Sequence, residues 1–281
     1  MSFADRVSRR LLRPVVCESL QRVGGAHDGG YVVPVDAIQR ASVLLSFGLA
    51  TNWTFERAAA TLNPQLRIEA YDPSVTKGTF VSLGLRAAVS VPLRLIALSP
   101  RGARSSARKT ALSIDYFRFF SGNRRHHQQR VWYNTDDGSA DIAKVIDGTG
   151  MTTPLSIFAK IDIEGTEYRI IPAIRERAAL FTALVIEFHD IDICADLFNL
   201  QMESLREEFE VVHVHGNNHG DLNIDHTFPL SLEVTFLNKR MMLGPRVPYD
   251  GPLPRPDLDA PNDTRKPDYS IDLSQPDPPL T

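Results

Sequence analysis

The sequence has almost no cysteine. Its 281 residues carry two, Cys17 and Cys194, far apart and in no metal-ligand spacing, which excludes a disulfide scaffold and a cysteine-held zinc site. Such usage fits a reducing, cytoplasmic setting. Long apolar runs are missing as well: nothing approaches the roughly 20 residues a membrane helix needs, so no membrane span is expected. Neither sign of charge dominates, with 31 Lys and Arg against 34 Asp and Glu and a net charge of -3, so the whole chain is not a polycation built for nucleic acid. The segment Met1 to Val16 has Arg6, Arg9, Arg10 and Arg13 but no apolar run behind them, and it reads as an amphipathic first helix rather than a secretory signal. The G-x-G-x-x-G fingerprint is absent, which counts against a nicotinamide oxidoreductase.

What remains is 43% hydrophobic and long enough to bury one full core. Residues 1–40 supply the first helix and a Gly-rich hairpin around Asp28, Gly29, Gly30 and Tyr31. Residues 41–243 alternate short apolar runs with helical segments, the pattern of a mostly parallel α/β sheet covered by helices on both faces. Seven runs are candidate strands: Ser42 to Phe47, Leu66 to Tyr71, Leu93 to Leu98, Leu155 to Ile163, Ala183 to Phe188, Phe209 to His215 and Leu232 to Leu237. Trp53 to Thr61, Ile142 to Ile146, Thr166 to Ala179 and Asp192 to Glu208 read as helices, and 101–135 as an insertion forming a helix and a small hairpin or lid. Residues 244–281 hold ten of the 19 prolines and form an extended tail, draped or disordered, suited to a partner-binding or subunit-wrapping arm and so compatible with a homo-oligomer.

Ligands of such sheets bind at the carboxyl ends of strands, where the order reverses. Gly48 follows the first run; Asp72 ends the second, 24 residues later, close to the ~20 expected of an acid that grips ribose hydroxyls. The fourth run ends Lys160-Ile161-Asp162-Ile163-Glu164-Gly165, and alternation puts its two acids on one side. Lys160 pairing with one acid while Glu164 caps a helix is the bland account. Glu187, His189, Asp190, His215 and Asn217 end the next two runs, where imidazole could take a proton or, with Asp162, hold Mg²⁺ or another divalent metal.

Three stretches together resemble the FkbM-type S-adenosylmethionine-dependent methyltransferases: Lys160-Ile161-Asp162-Ile163-Glu164-Gly165-Thr166-Glu167, Ser46-Phe47-Gly48 with Trp53-Thr54-Phe55-Glu56, and Asp72-Pro73-Ser74. Asp28-Gly29-Gly30-Tyr31 adds to it, and the resemblance spans about residues 22 to 238. The family usually has Glu-Pro where Asp72-Pro73 stands, and often a glycine where Ala50 stands. The resemblance implies the Rossmann-like class I sheet of seven strands, one antiparallel, and O-methylation of a sugar, glycan or natural product. It assigns Phe47 and Gly48 to the methionine part of S-adenosylmethionine, Asp72 to the ribose, Ser99 to the adenine and Asp162 to the sulfonium. His189 becomes the general base, oriented by Glu187 or Asp190, with Tyr31, His215 and Asn217 on the acceptor side.

Between Arg101 and Arg130 eight basic residues, Arg124 and Arg125 among them, face Asp115 alone, so an anionic acceptor such as a phosphorylated, nucleotide-linked or lipid-linked sugar is expected. A solvated helix face would explain the same charges, and nucleic acid is the less favoured partner. The competing function is a noncatalytic nucleoside-binding protein that docks a partner through its Pro-rich tail.

Overall fold

The computed structural model describes residues 6–96, 100–224 and 226–274. A hairpin of β1 (Leu20–Gly24) and β2 (Gly30–Pro34) leads through α1 (Val35–Arg40) to β3 (Val43–Phe47), α2 (Thr54–Leu62) and β4 (Arg67–Tyr71). Two long helices follow, α3 (Lys77–Ile96) and α4 (Pro100–Phe119), then β5 (Arg124–His127), β6 (Arg130–Trp132), β7 (Ser139–Asp141) and α5 (Ile142–Gly148). The remainder is β8 (Ile157–Ile161), α6 (Ile171–Glu176), β9 (Phe181–Phe188), α7 (Ala195–Leu205), β10 (Phe209–Gly216) and β11 (Leu232–Asn238).

Seven strands form the central sheet in the order β10-β11-β9-β8-β3-β4-β5. Only β11 runs against its neighbours; the other pairings are parallel. This is a Rossmann-like sheet of seven strands with one reversed, as the resemblance implied. β3, β8 and β9 are buried along their whole length, which is why they read as unbroken apolar runs. Alternate residues serve opposite layers: Val43, Leu45 and Phe47 join one core with Ile146, Ile174 and Phe198, while Leu44 joins the other with Ile38, Phe55 and Ala59. The chain winds from β3 outward to β4 in one direction and from β8 to β9 in the other. The crevice at the ends of β3 and β8 is therefore the switch point where ligands sit in such sheets.

Four expectations change. The run Leu93 to Leu98 is not a strand: through Ile96 it lies in α3, and Ala97, Leu98 and Ser99 lie outside the described residues. The missing strand is β5, a short edge strand made of Arg-Arg-His-His, whose exposed side needs no hydrophobic residues. The first described turn is a 3-10 helix, Arg9–Leu12, rather than a long amphipathic helix. The insertion begins earlier than residue 101, at Lys77, and is a helical hairpin, while β6 pairs parallel with β7 outside it.

The tail has no helix or strand of its own through residue 274, yet it is tied down. His213 Nε2 lies 3.2 Å from Asp259, and His215 Nε2 lies 3.0 Å from Asp268. Asn218 donates to the carbonyls of Asp263 and Pro267, and Gly216 bridges to Tyr269. Edge strand β10 is thus covered along its outer side, which blocks pairing with another chain.

Candidate functional site

A cleft of about 530 Å³ opens at the switch point, lined by the β1–β2 turn and the start of β2, by the loops after β3, β4 and β8, and by β6. The loop after β3 exists because of Gly48. Its φ is +82°, and a Cβ there would collide with the Asp162 carbonyl, so no side chain fits between the ends of β3 and β8. Ala50 also takes positive φ, +44°, unusual for a residue with a Cβ. The conformation is held by Asp72. Its Oδ2 accepts from the amides of Leu49 at 2.7 Å and Ala50 at 2.6 Å, and its Oδ1 accepts from Ser74 N at 2.6 Å. Burial alone would raise this carboxyl, but the hydrogen bonds from Ser74, Ala50 and Leu49 outweigh it and hold the group below the usual range. Three amides and the Ser74 side chain thus hold the carboxylate, which fixes its orientation at the mouth of the cleft.

Across the cleft, Lys160 is buried and donates to the Gly48 carbonyl and, at 3.2 Å, to Asp162 Oδ2. The same Asp162 oxygen accepts from Tyr31 O–H at 2.9 Å, and the Lys160 ammonium sits 5.5 Å from the Tyr31 ring centre. Burial works against the ammonium, but Asp162 and Glu56 more than offset it and its pKa is raised. The bland account is half met: Lys160 does pair with Asp162, but Glu164 caps nothing. It stands at φ +54° with its side chain 87% exposed at the cleft.

Behind Glu164, His189 is enclosed by acids. Its Nδ1 lies 2.7 Å from Glu167 Oε1; its Nε2 lies 3.4 Å from Glu187 Oε1 and 3.6 Å from Glu164 Oε2. Burial pulls the imidazole down, but the bonds to Glu167 and Glu187 overcome it and push its pKa up to about 11. Burial raises Glu187, which also accepts from Asn217 at 2.6 Å and Ser231 at 3.1 Å. At neutral pH His189 is therefore an imidazolium, not the free base expected of it, and its Nδ1 partner is Glu167 rather than Glu187 or Asp190. Counting Asp162, Glu164, Glu167 and Glu187 against Lys160 and His189, the acids outnumber the cations, which suits a positively charged ligand.

Of the residues singled out in the sequence, Tyr31, Gly48, Asp72 and Asp162 line this one cleft. Phe47 is fully buried beneath it and shapes it through the backbone. His215 does not reach it, being clamped between Glu233 and the tail's Asp268. Asn217 acts on Glu187 and not on the opening. Arg124 lies over the Phe119 ring, 5.0 Å away, and Arg125 lines a separate cavity with Glu69, Tyr71 and Lys144. Ser99 lies outside the described residues. The sequence reading passed over Trp132 of β6, counted Arg130 only among the basic residues of its stretch and gave the buried Glu167 no role; the first two line the cleft. An Arg-Val-Trp stretch soon after the third parallel strand is the signal for the first two, once that strand is placed at β5. The metal set read from the sequence is also redrawn: Asp162, Glu164 and His189 offer ligand atoms within 4.8 Å of one another, without His215 or Asn217.

No protein-family model matches the chain, and no curated protein matches it. Among solved structures, a fibrillarin pre-rRNA processing protein of Methanococcus jannaschii aligns over 72% of this chain and 69% of its own, with 12% identity and a TM-score of 0.36. A precorrin-6y C5,15-methyltransferase from Geobacter metallireducens aligns over 72% and 84%, with 12% identity and a TM-score of 0.30. A 16S rRNA adenine methyltransferase from Catenulisporales acidiphilia covers 82% of this chain and 100% of its own, with 11% identity and a TM-score of 0.31. Likeness this distant carries no argument about chemistry, which rests on the residues of the cleft.

Proposed function

We propose that the protein binds S-adenosylmethionine in the switch-point cleft and transfers its methyl group to a hydroxyl, with a sugar or glycan, anionic in character, as the acceptor. The observation that carries this is Asp72, an acid at the end of β4 that is held rigid by the amides of the β3 loop and lines the cleft where a ribose would lie. Cleft volume lies within the range of cofactor sites, and Gly48 leaves room for close backbone approach. Trp132 would face the adenine, a place the sequence had given to Ser99. Asp162, fixed by Tyr31 and Lys160, would stand near the sulfonium and favour its charge.

The cofactor supplies an activated methyl group, so the chain's own task is alignment and removal of one proton. Glu164, the exposed acid of the set, is our candidate for accepting that proton. His189 serves as a positioning residue: as an imidazolium it draws Glu164 and Glu187 together and offsets their repulsion. A second reading is favoured by the grouping of Asp162, Glu164 and His189, whose ligand atoms would suit a divalent ion that acidifies the acceptor. Its Nδ1 bond to a buried carboxylate orients His189 as metal-binding histidines are oriented.

Calorimetry with S-adenosylmethionine and S-adenosylhomocysteine, with and without Mg²⁺, tests both readings. Micromolar binding to the wild type, lost at least tenfold in Asp72→Ala, is the expected result; no binding of either nucleoside would remove the reading and leave a protein that docks a partner. Unchanged affinity and turnover in a strong chelator would exclude the metal version alone.

A further inference from the structure

We infer that the α3–α4 hairpin is a docking surface for an anionic phospholipid bilayer. This does not rest on the proposed methyl transfer. The two helices pack mainly on each other, through Ser113 Oγ donating to the Phe80 carbonyl at 2.8 Å and the Ser90 and Ser106 hydroxyls at 2.7 Å. The base is fixed to the domain by Tyr116, which stacks on Phe80 at 3.9 Å and meets Trp53 edge-on at 5.8 Å. From that base each helix has 20 residues, about 30 Å of length at 1.5 Å per residue.

An apolar stripe runs along the outside. Val81, Leu85 and Val89 fall at i, i+4 and i+8 of α3 and are 47%, 64% and 66% exposed. On α4, Ile114 and Phe117 are 47% and 44% exposed. With Gly84 against Ser113 in the antiparallel seam, helix geometry puts these two on the same flank of the hairpin as the α3 stripe. Arg86, Arg101, Arg104, Arg108, Lys109 and Arg118 are all exposed on the hairpin, and by the same helix geometry Arg86 and Arg118 border the stripe. Among the described residues none of the six makes an ion pair. The one acid of the hairpin, Asp115, is already engaged by Arg57 at 2.6 Å and by Trp53 Nε1 at 2.9 Å.

An apolar stripe bordered by Arg86 and Arg118, on a hairpin basic on its other sides too, matches a bilayer interface, where aliphatic side chains enter the acyl boundary and the cations meet lipid phosphates. RNA would satisfy the cations and leave the Val and Leu stripe in water. A second copy would cover the stripe only by bringing two strongly basic hairpins face to face. The hairpin leaves β4 five residues after Asp72, so a docked hairpin would hold the cleft close to the lipid surface.

The test is co-sedimentation of the full chain with vesicles of phosphatidylcholine alone or with phosphatidylglycerol, alongside a generic RNA duplex and light scattering for self-association. Binding to the anionic vesicles alone is expected, weakened more than tenfold by Leu85→Glu with Val89→Glu and, separately, by Arg86→Glu with Arg118→Glu. Unchanged circular dichroism and melting show that the variants fold. No binding to anionic vesicles, binding indifferent to the apolar pair, or preference for RNA or for self-association would each overturn the inference.

Discussion

A single carboxylate organises the candidate site. Asp72 closes the loop after β3 through two amides and the turn after β4 through a third, so one side chain sets the shape of both walls. The strand-end position of Asp72 was legible, but as a grip on a ribose and not on the loop amides it holds. His189 was legible as a strand-end histidine but not in its charge, because Glu167, whose carboxylate fixes it, stands in a stretch whose pattern reads as helix. The pH dependence separates the two roles. If Glu164 takes the proton and His189 stays an imidazolium, kcat/KM holds level through the neutral range and falls as pH rises toward 11, where the ring loses its charge. A rate that climbs steadily toward 11 would return the base to His189. On the first view Glu164→Gln lowers kcat by about 100-fold or more, the usual worth of a general base, and leaves cofactor affinity intact.

At the scale of elements, burial decided what could be read. Six apolar runs correspond to sheet strands because five of those strands are buried on both faces and β4 on one. The seventh failed for a physical reason: β5 sits at the sheet's edge with His127 paired to Glu69 at 2.7 Å, so polar residues serve it well. The Val-Pro-Leu-Arg-Leu-Ile stretch had the composition of a strand but lies at the end of a helix that packs on its partner helix and not in the sheet. Misplacing that strand drew the proposed adenine contact to Ser99, away from the cleft wall at Trp132, and hid the hairpin. Anchoring of the hairpin depends on one aromatic. Tyr116 is 1% exposed, stacks on Phe80 and brings its hydroxyl to 2.6 Å from His126 Nδ1. Tyr116→Ala should cost about 3–5 kcal/mol. Denaturant melts followed by Trp53 fluorescence would measure it, and a loss under about 1 kcal/mol would show that the base is held by other contacts.

The whole molecule is closed by its tail. The prolines pointed to an extended tail, as residues 244–274 are, but not to the two histidines on β10 that meet its aspartates, since nothing in spacing links residues some 50 positions apart. His215, buried between Asp268 and Glu233, has its pKa pushed up to about 10 by those hydrogen bonds, against the effect of burial. Because the folded value lies above the ordinary 6.5, its stabilisation is complete below 6.5 and is lost as pH rises through about 10. Asp259 runs the other way: burial would raise it, but His213 and His215 hold it below 3.8, so its contribution is present above that value and fades with acid. Limited proteolysis should find the tail best protected between about pH 4 and 6.5, with cleavage increasing toward pH 10. His215→Ala should destabilise the chain by about 3–5 kcal/mol, because it strands two carboxylates in the interior. Equal protection at pH 6 and pH 10 would show that the prolines and backbone contacts hold the tail unaided.

The tail also meets the first segment of the chain. Val16 N donates to the Val247 carbonyl, Tyr249 N donates to the Pro14 carbonyl, and Val15 and Pro248 pair antiparallel. Antiparallel pairing sends the chain on either side of that bridge out in the same direction. Under tension applied to the two ends, these hydrogen bonds would be loaded one after another, like a zipper, instead of sharing the load in shear. Mechanical opening would thus begin at low force with the tail peeling from β10, about 100 Å of contour for the 30 residues from Pro245 to Ser274, before the sheet bears any strain.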